Sequence, residues 1–77
     1  MKHVRIFLKT ELYAIGGTLR VVPDGISIVD GQVRDDESGG FMVDVTVWRR
    51  SNGDAVPGPV ARLFLPLSKI DYMLDIS

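Results

Sequence analysis

Apolar side chains return at every second position along most of this chain, the spacing at which successive residues leave a β-strand on opposite faces. Val4, Ile6 and Leu8 alternate with His3, Arg5, Phe7 and Lys9. Tyr13, Ile15, Leu19 and Val21 share one parity, against Ala14, Gly16, Thr18, Arg20 and Val22 on the other. Phe41, Val43, Val45 and Val47 form the cleanest inward stripe, with Met42, Asp44, Thr46 and Trp48 opposite. From Val60 to Leu65 the alternation sets Ala61, Leu63 and Leu65 against Val60, Arg62 and Phe64. That stretch is apolar on much of both faces, so it is expected to be covered by another element or subunit. The period points to an all-β chain.

The breaks between these runs carry turn chemistry. In Val22-Pro23-Asp24-Gly25, proline presets φ, aspartate bonds nearby backbone and glycine accepts positive φ, which makes this the strongest hairpin signal. Ile26 and Ile28 begin the return strand and Asp30-Gly31 offers its stop. Gln32 to Gly40, containing Asp35-Asp36-Glu37 and Ser38-Gly39-Gly40, reads as an acidic loop with little to bury, with an extension of the preceding strand to Val33 left open. Gly16-Gly17 falls inside a strand pattern and is expected to mark a bulge or sharp bend. Ser51-Asn52-Gly53-Asp54 turns the chain, and Pro57-Gly58-Pro59 stiffens the loop that follows. After Pro66, a tight turn near Leu67 to Ile70 followed by a short strand is the preferred reading. A terminal helix with Leu67, Ile70 and Leu74 on one face is the alternative.

Seventy-seven residues suffice for one domain, spanning 1–77. A chain of this length buries roughly 60% of the surface its unfolded form exposes, so its core needs a supplement. With no cysteine and one histidine, disulfides and thiolate metal sites are excluded and a structural zinc site lacks ligands. Association between chains is the supplement that remains. The formal net charge of -1 argues against whole-molecule attraction to nucleic acid or an anionic membrane. Alternating sequence begins at His3, without the apolar core of a signal peptide or a membrane-spanning run, so a cytoplasmic protein is expected.

Phe7-Leu8-Lys9 running to Tyr13-Ala14-Ile15-Gly16-Gly17-Thr18-Leu19 resembles the opening hairpin of Sm-like barrels, in which glycine precedes a strongly bent strand. Leu65-Pro66-Leu67-Ser68-Lys69-Ile70-Asp71-Tyr72 resembles the tight helical turn that links the final strands of Sm-like and Src-homology barrels. The resemblance implies a small antiparallel barrel of five to six strands, partly open, with a short helical turn near the C-terminus. It also implies edges that pair with neighbouring copies. The aspartate and asparagine pair of an Sm-type uridine pocket has no match, and the aromatic groove of the Src-homology type needs more clustered rings than this chain supplies. No ligand-binding residue is carried over from either family.

Catalytic chemistry finds little footing. His3 is the single imidazole and reads as a surface histidine near the terminus, where a general base would be hard to orient. No nucleophile elbow, Walker loop or dinucleotide fingerprint occurs. Asp35-Asp36-Glu37 offers oxygens of the kind hard cations take, but reads better as a solvated acidic loop, so no metal or cofactor is expected.

The candidate site is the non-core parity: Arg5, Phe7 and Lys9 on the first strand, Thr18 and Arg20 on the second, and Thr46, Trp48 and Arg50 on the strand after the acidic loop. Side by side, these residues would make a basic face with exposed aromatics, able to stack bases or a planar ligand while arginines bind phosphate. The same residues suit a subunit interface, where Trp and Arg are enriched. In a tightly coiled barrel, Trp48 would instead cap one end of the core. Phe64, Tyr72 and Met73 are the candidate interface residues. The expected function is a non-catalytic assembly module that works through protein–protein contact as a homo-oligomer. An oligomeric barrel binding RNA, DNA or a nucleotide-like ligand is the alternative.

Overall fold

In the computed structural model, which describes residues 3–12 and 22–77, β1 (His3–Leu12) is followed by β2 (Ile26–Glu37) and β3 (Gly40–Arg49). Then come β4 (Ala55–Val56), β5 (Ala61–Pro66), a 3-10 turn over Leu67–Lys69, and β6 (Ile70–Asp75). All six strands join one antiparallel sheet in the order β4-β3-β2-β1-β6, with β5 beside the first half of β3. The strand expected over Tyr13 to Val21, with its Gly16-Gly17 bend, lies outside the described residues.

The short link between β5 and β6 dictates the curvature. In the order β5-β3-β2-β1-β6, a flat sheet would hold its outer strands about 19 Å apart at the usual strand spacing. The three residues of the 3-10 turn advance only about 6 Å. The sheet therefore coils until its edges approach, and among the described residues it stops short of closure, with β5 paired to β3 and β6 to β1. The tight turn and final strand expected after Pro66 are both present, and the helical alternative is not. Two contacts hold the turn: Leu67 N–H donates to Gly39 O at 2.8 Å, and Lys69 Nζ donates to Thr10 Oγ1 at 2.5 Å.

Val4, Ile6 and Leu8 of β1, Ile26 and Val29 of β2, and Val43, Val45 and Trp48 of β3 form the core with Leu65 and Ile70. The alternation read in β1 and in the first half of β3 thus faces inward as expected. Two features of β2 and β3 differ from the sequence reading. The acidic run expected as a loop from Gln32 to Gly40 continues β2 as far as Glu37, pairing Asp35 with Met42 and Asp36 with Phe41. The loop shrinks to Ser38-Gly39, where Gly39 at φ +85° permits the reversal. Main-chain pairing is indifferent to side-chain charge, so an acidic run can continue a strand.

The second difference is a bulge. Asp30 pairs with Val47 while its neighbour Gly31 pairs with Val45, leaving Thr46 without an opposite residue. Val43 and Val45 point inward, and the extra residue reverses the phase so that Trp48 points inward as well. Gly31 is where β3 comes closest. A Cβ there would lie 2.1 Å from the carbonyl oxygen of Asp44, so the position admits only glycine without a backbone shift.

Candidate interaction surface

Cross-strand register assigns each side chain to a face. One row runs Met73–Ile6–Val29–Trp48–Val56 from β6 to β4 on the core side of the sheet, with Ile6, Val29 and Trp48 fully buried and Met73 exposed at the edge. The neighbouring rows lie on the opposite face of the sheet, where Ile28 and Asp30 are nonetheless buried: Tyr72–Phe7–Ile28–Arg49–Ala55, and Leu74–Arg5–Asp30–Val47. Directly opposed residues in antiparallel strands touch. The Phe7 and Tyr72 rings accordingly stack with centroids 4.4 Å apart and planes inclined by 14°.

Asp30 is the electrostatic centre of this outer face and is almost fully buried. Arg5 Nε and Nη2 donate to its two carboxylate oxygens at 2.8 and 3.0 Å, and Arg49 Nε donates to Oδ2 at 3.0 Å. Burial by itself pushes the Asp30 carboxyl up. The hydrogen bonds from Arg5 and Arg49, with their charges, outweigh that and hold it below the usual carboxylate range. Arg49 also donates through Nη1 to Gly53 O at 2.9 Å, fastening the turn between β3 and β4 to the same cluster. Thr46, in the bulge, donates its hydroxyl to the Asp30 carbonyl at 3.3 Å. A second charged group lies farther along the face. Arg62 Nε donates to Asp44 Oδ1 at 2.8 Å, with Arg34 3.4 Å from the other oxygen, and the Arg62 hydrogen bond leads in holding Asp44 below its ordinary value.

The candidate basic face is therefore assembled differently from its expected form. Arg5 and Phe7 are on it, but Arg5 is engaged by Asp30 and Phe7 is half-buried under Tyr72. Lys9 is exposed beyond the last regular pairing of β1 with β2, and Arg50 is exposed at the turn after β3. Thr46 is exposed in the bulge, while Thr18 and Arg20 lie outside the described residues. Trp48 is not on this face. The bulge at Thr46 turns it into the core, where it has no exposed surface and its Nε1 donates to Pro59 O at 2.8 Å. Of the roles considered for Trp48, the structure shows packing.

Phe64, Tyr72 and Met73 are all exposed, but not as one patch in the strand order: Phe64 is on β5 at one edge, Tyr72 and Met73 on β6 at the other. Sequence reasoning overlooked Asp30, read as a strand stop, and Arg49 and Leu74, which stand beside Arg5 or Asp30 only once the strands pair. Their signal is long-range register, which no local pattern contains.

β6 is the most exposed strand. Ile70 is buried, and every residue after it is exposed, including Tyr72, Met73, Leu74 and Ile76. No described strand pairs with its outer edge. Among the described residues no cluster of His, Cys, Asp or Glu could hold a metal ion, and no helix is long and apolar enough to cross a membrane. No protein-family model, curated protein or solved structure matches this chain.

Proposed function

We propose that this protein is a non-catalytic assembly module that binds protein, in the first place further copies of itself, through the edge of its sheet. The observation that carries the reading is β6: an edge strand whose outer side pairs with no described strand, and which with the residue after it presents Tyr72, Met73, Leu74 and Ile76 to solvent. Soluble proteins ordinarily protect such edges with charges, prolines or a covering element, because an unpaired row of N–H and C=O groups templates another strand. Strand addition supplies main-chain hydrogen bonds and covers apolar side chains together. A small domain of limited core gains most from that burial. The link between β5 and β6 through a 3-10 turn supports the likeness to Src-homology and Sm-like barrels as one of architecture.

The geometry gives less support to the nucleic-acid reading. Trp48 is unavailable for stacking, Arg5 and Arg49 share the Asp30 carboxylate, and Arg34 and Arg62 flank Asp44. The test is the native mass of the protein across a dilution series. An assembly elutes above the 8.5 kDa of one chain and dissociates on dilution. A monomer at every concentration, joined to steeply salt-dependent retention of RNA or DNA, would replace this reading with the alternative.

A further inference from the structure

We infer that Asn52 and Gly53, in the turn between β3 and β4, form a modification site: the pair closes spontaneously to a succinimide, the folded turn restrains that closure, and its product loosens Arg49 from the Asp30 cluster. The site lies apart from the assembly edge and does not depend on it. Asn52 is the single asparagine of the chain, it is exposed, and glycine follows it. A side chain on the following residue hinders attack of its nitrogen on the carboxamide, and Gly53 has none. Beyond its chain neighbours, no atom lies within 4 Å of the place a Cβ would take at Gly53.

The reaction needs water and no other partner. The Gly53 nitrogen attacks Cγ of Asn52, the new N–Cγ bond closes a cyclic imide, and the Cγ–Nδ2 bond breaks. The proton lost from the Gly53 nitrogen is balanced by the one the departing amide takes up as ammonia. Water then opens the imide at either carbonyl. Opening at Cγ restores the main chain with aspartate at position 52, and opening at the main-chain carbonyl leaves isoaspartate, with the chain routed through Cβ. The aspartyl-glycine steps Asp24-Gly25 and Asp30-Gly31 offer carboxylates, which have no amine to expel.

Hydrogen bonds hold both reactants in the folded turn. Gly53 N–H donates to Arg50 O at 2.9 Å, which engages the proton of the nucleophile. Asn52 Nδ2 donates to Asp54 Oδ2 at 3.1 Å, and Asn52 Oδ1 accepts from Asp54 N–H at 3.0 Å, so the carboxamide is tied to Asp54 at both ends. Arg50 N–H donates to Asp54 O at 3.0 Å and closes the turn. Ring formation has to bring Cγ onto the Gly53 nitrogen against these ties. Bonds of ordinary net strength, given up together, slow the step by about tenfold or more relative to the open chain.

The turn is also where Arg49 is anchored. Its Nη1 donates to Gly53 O at 2.9 Å while its Nε holds Asp30 Oδ2 at 3.0 Å. Isoaspartate inserts Cβ into the main chain beside Gly53 and displaces that carbonyl, so Arg49 loses its second anchor. Either product also sets a carboxylate against Asp54 where Asn52 had presented a donor, exchanging a hydrogen bond for like charges.

The test incubates the folded protein, and the same chain in guanidinium chloride, at mildly alkaline pH. Tryptic peptide 51–62 then reports the mass gain of amide-to-acid exchange, and its two acidic products separate by chromatography. The unfolded chain should convert at Asn52, and the folded chain about tenfold or more slowly. Asp54→Ala removes the Nδ2 acceptor and leaves the main-chain bonds, so the folded variant, with Trp48 still shielded, should convert faster than the folded parent. The isoaspartyl form should unfold at a lower guanidinium midpoint than Asn52→Asp, which carries the charge on an unaltered main chain. No conversion in the unfolded chain overturns the site. Equal rates folded and unfolded, or a folded Asp54→Ala no faster than the parent, overturn the restraint. An isoaspartyl form as stable as Asn52→Asp overturns the link to Arg49.

Discussion

Trp48 Nε1 donates a 2.8 Å hydrogen bond to the carbonyl oxygen of Pro59, tying the proline loop between β4 and β5 to a side chain with no exposed surface. Replacing Trp48 with Phe removes the donor and part of the volume, and should cost about 1–2 kcal/mol. Urea unfolding followed by circular dichroism measures the loss. Trp48 is the chain's single tryptophan, so its fluorescence gives a second check. Native emission should be shielded from acrylamide and become quenchable only on unfolding. A native signal that acrylamide quenches freely would contradict the inward placement.

Asp30 makes stability depend on acidity. Its carboxyl titrates below its ordinary range in the folded chain, so the stabilisation is fully present above the unfolded value of about 3.9. It declines as pH falls through the lower folded value. Asp44 acts in the same direction. Asp30→Ala should cost about 3 kcal/mol at neutral pH by stranding Arg5 and Arg49 beside a buried position. The variant should also unfold with a shallower dependence on pH in the acid range. Urea midpoints at a series of pH values below neutrality test both, and an unchanged acid profile would remove Asp30 as its source.

How far the sequence foretells this arrangement depends on where the chain keeps phase. Val4, Ile6 and Leu8 are legible because nothing interrupts their alternation. The turn and strand after Pro66 are legible because proline, a short polar step and renewed alternation occur together. Trp48 is misleading because the extra residue at Thr46 belongs to neither phase, and its cause lies in the partner strand at Gly31. Glycine inside a strand is a bulge signal, but beside Asp30 it resembles a stop. The acidic end of β2 is hidden for a different reason. Asp35 and Asp36 owe their strand geometry to main-chain pairing with Met42 and Phe41, which their own acidic sequence does not announce. Asp30 joins Arg5 across 25 positions and Arg49 across 19, so its role emerges only from the fold.

Gly31→Ala tests the cause assigned to the bulge. The added methyl would meet the Asp44 carbonyl at 2.1 Å, and neither backbone can withdraw without breaking the pairing of β2 with β3. A loss of about 1–3 kcal/mol is expected, read as a lower urea midpoint with an unchanged slope. If β3 shifts register instead, Trp48 leaves the core and its emission moves to longer wavelength. A variant as stable as the parent, with Trp48 still shielded, would show that the close approach does not constrain this position.

The Phe7 and Tyr72 stack joins the candidate surface to the body of the sheet, since one ring is on central β1 and the other on edge strand β6. A double-mutant cycle with Phe7→Ala and Tyr72→Ala should give a coupling of about 0.5–1.5 kcal/mol, the double variant losing that much less than the sum of the separate losses. Concentration divides this intramolecular contact from assembly. Below the dissociation midpoint, the coupling should persist undiminished, because both rings belong to one chain. Above it, Tyr72→Ala should carry an additional loss that Phe7→Ala carries less of, because Tyr72 is the ring exposed on the edge strand. Equal concentration dependence for the two single variants would mean that β6 contributes no more to association than the strand behind it.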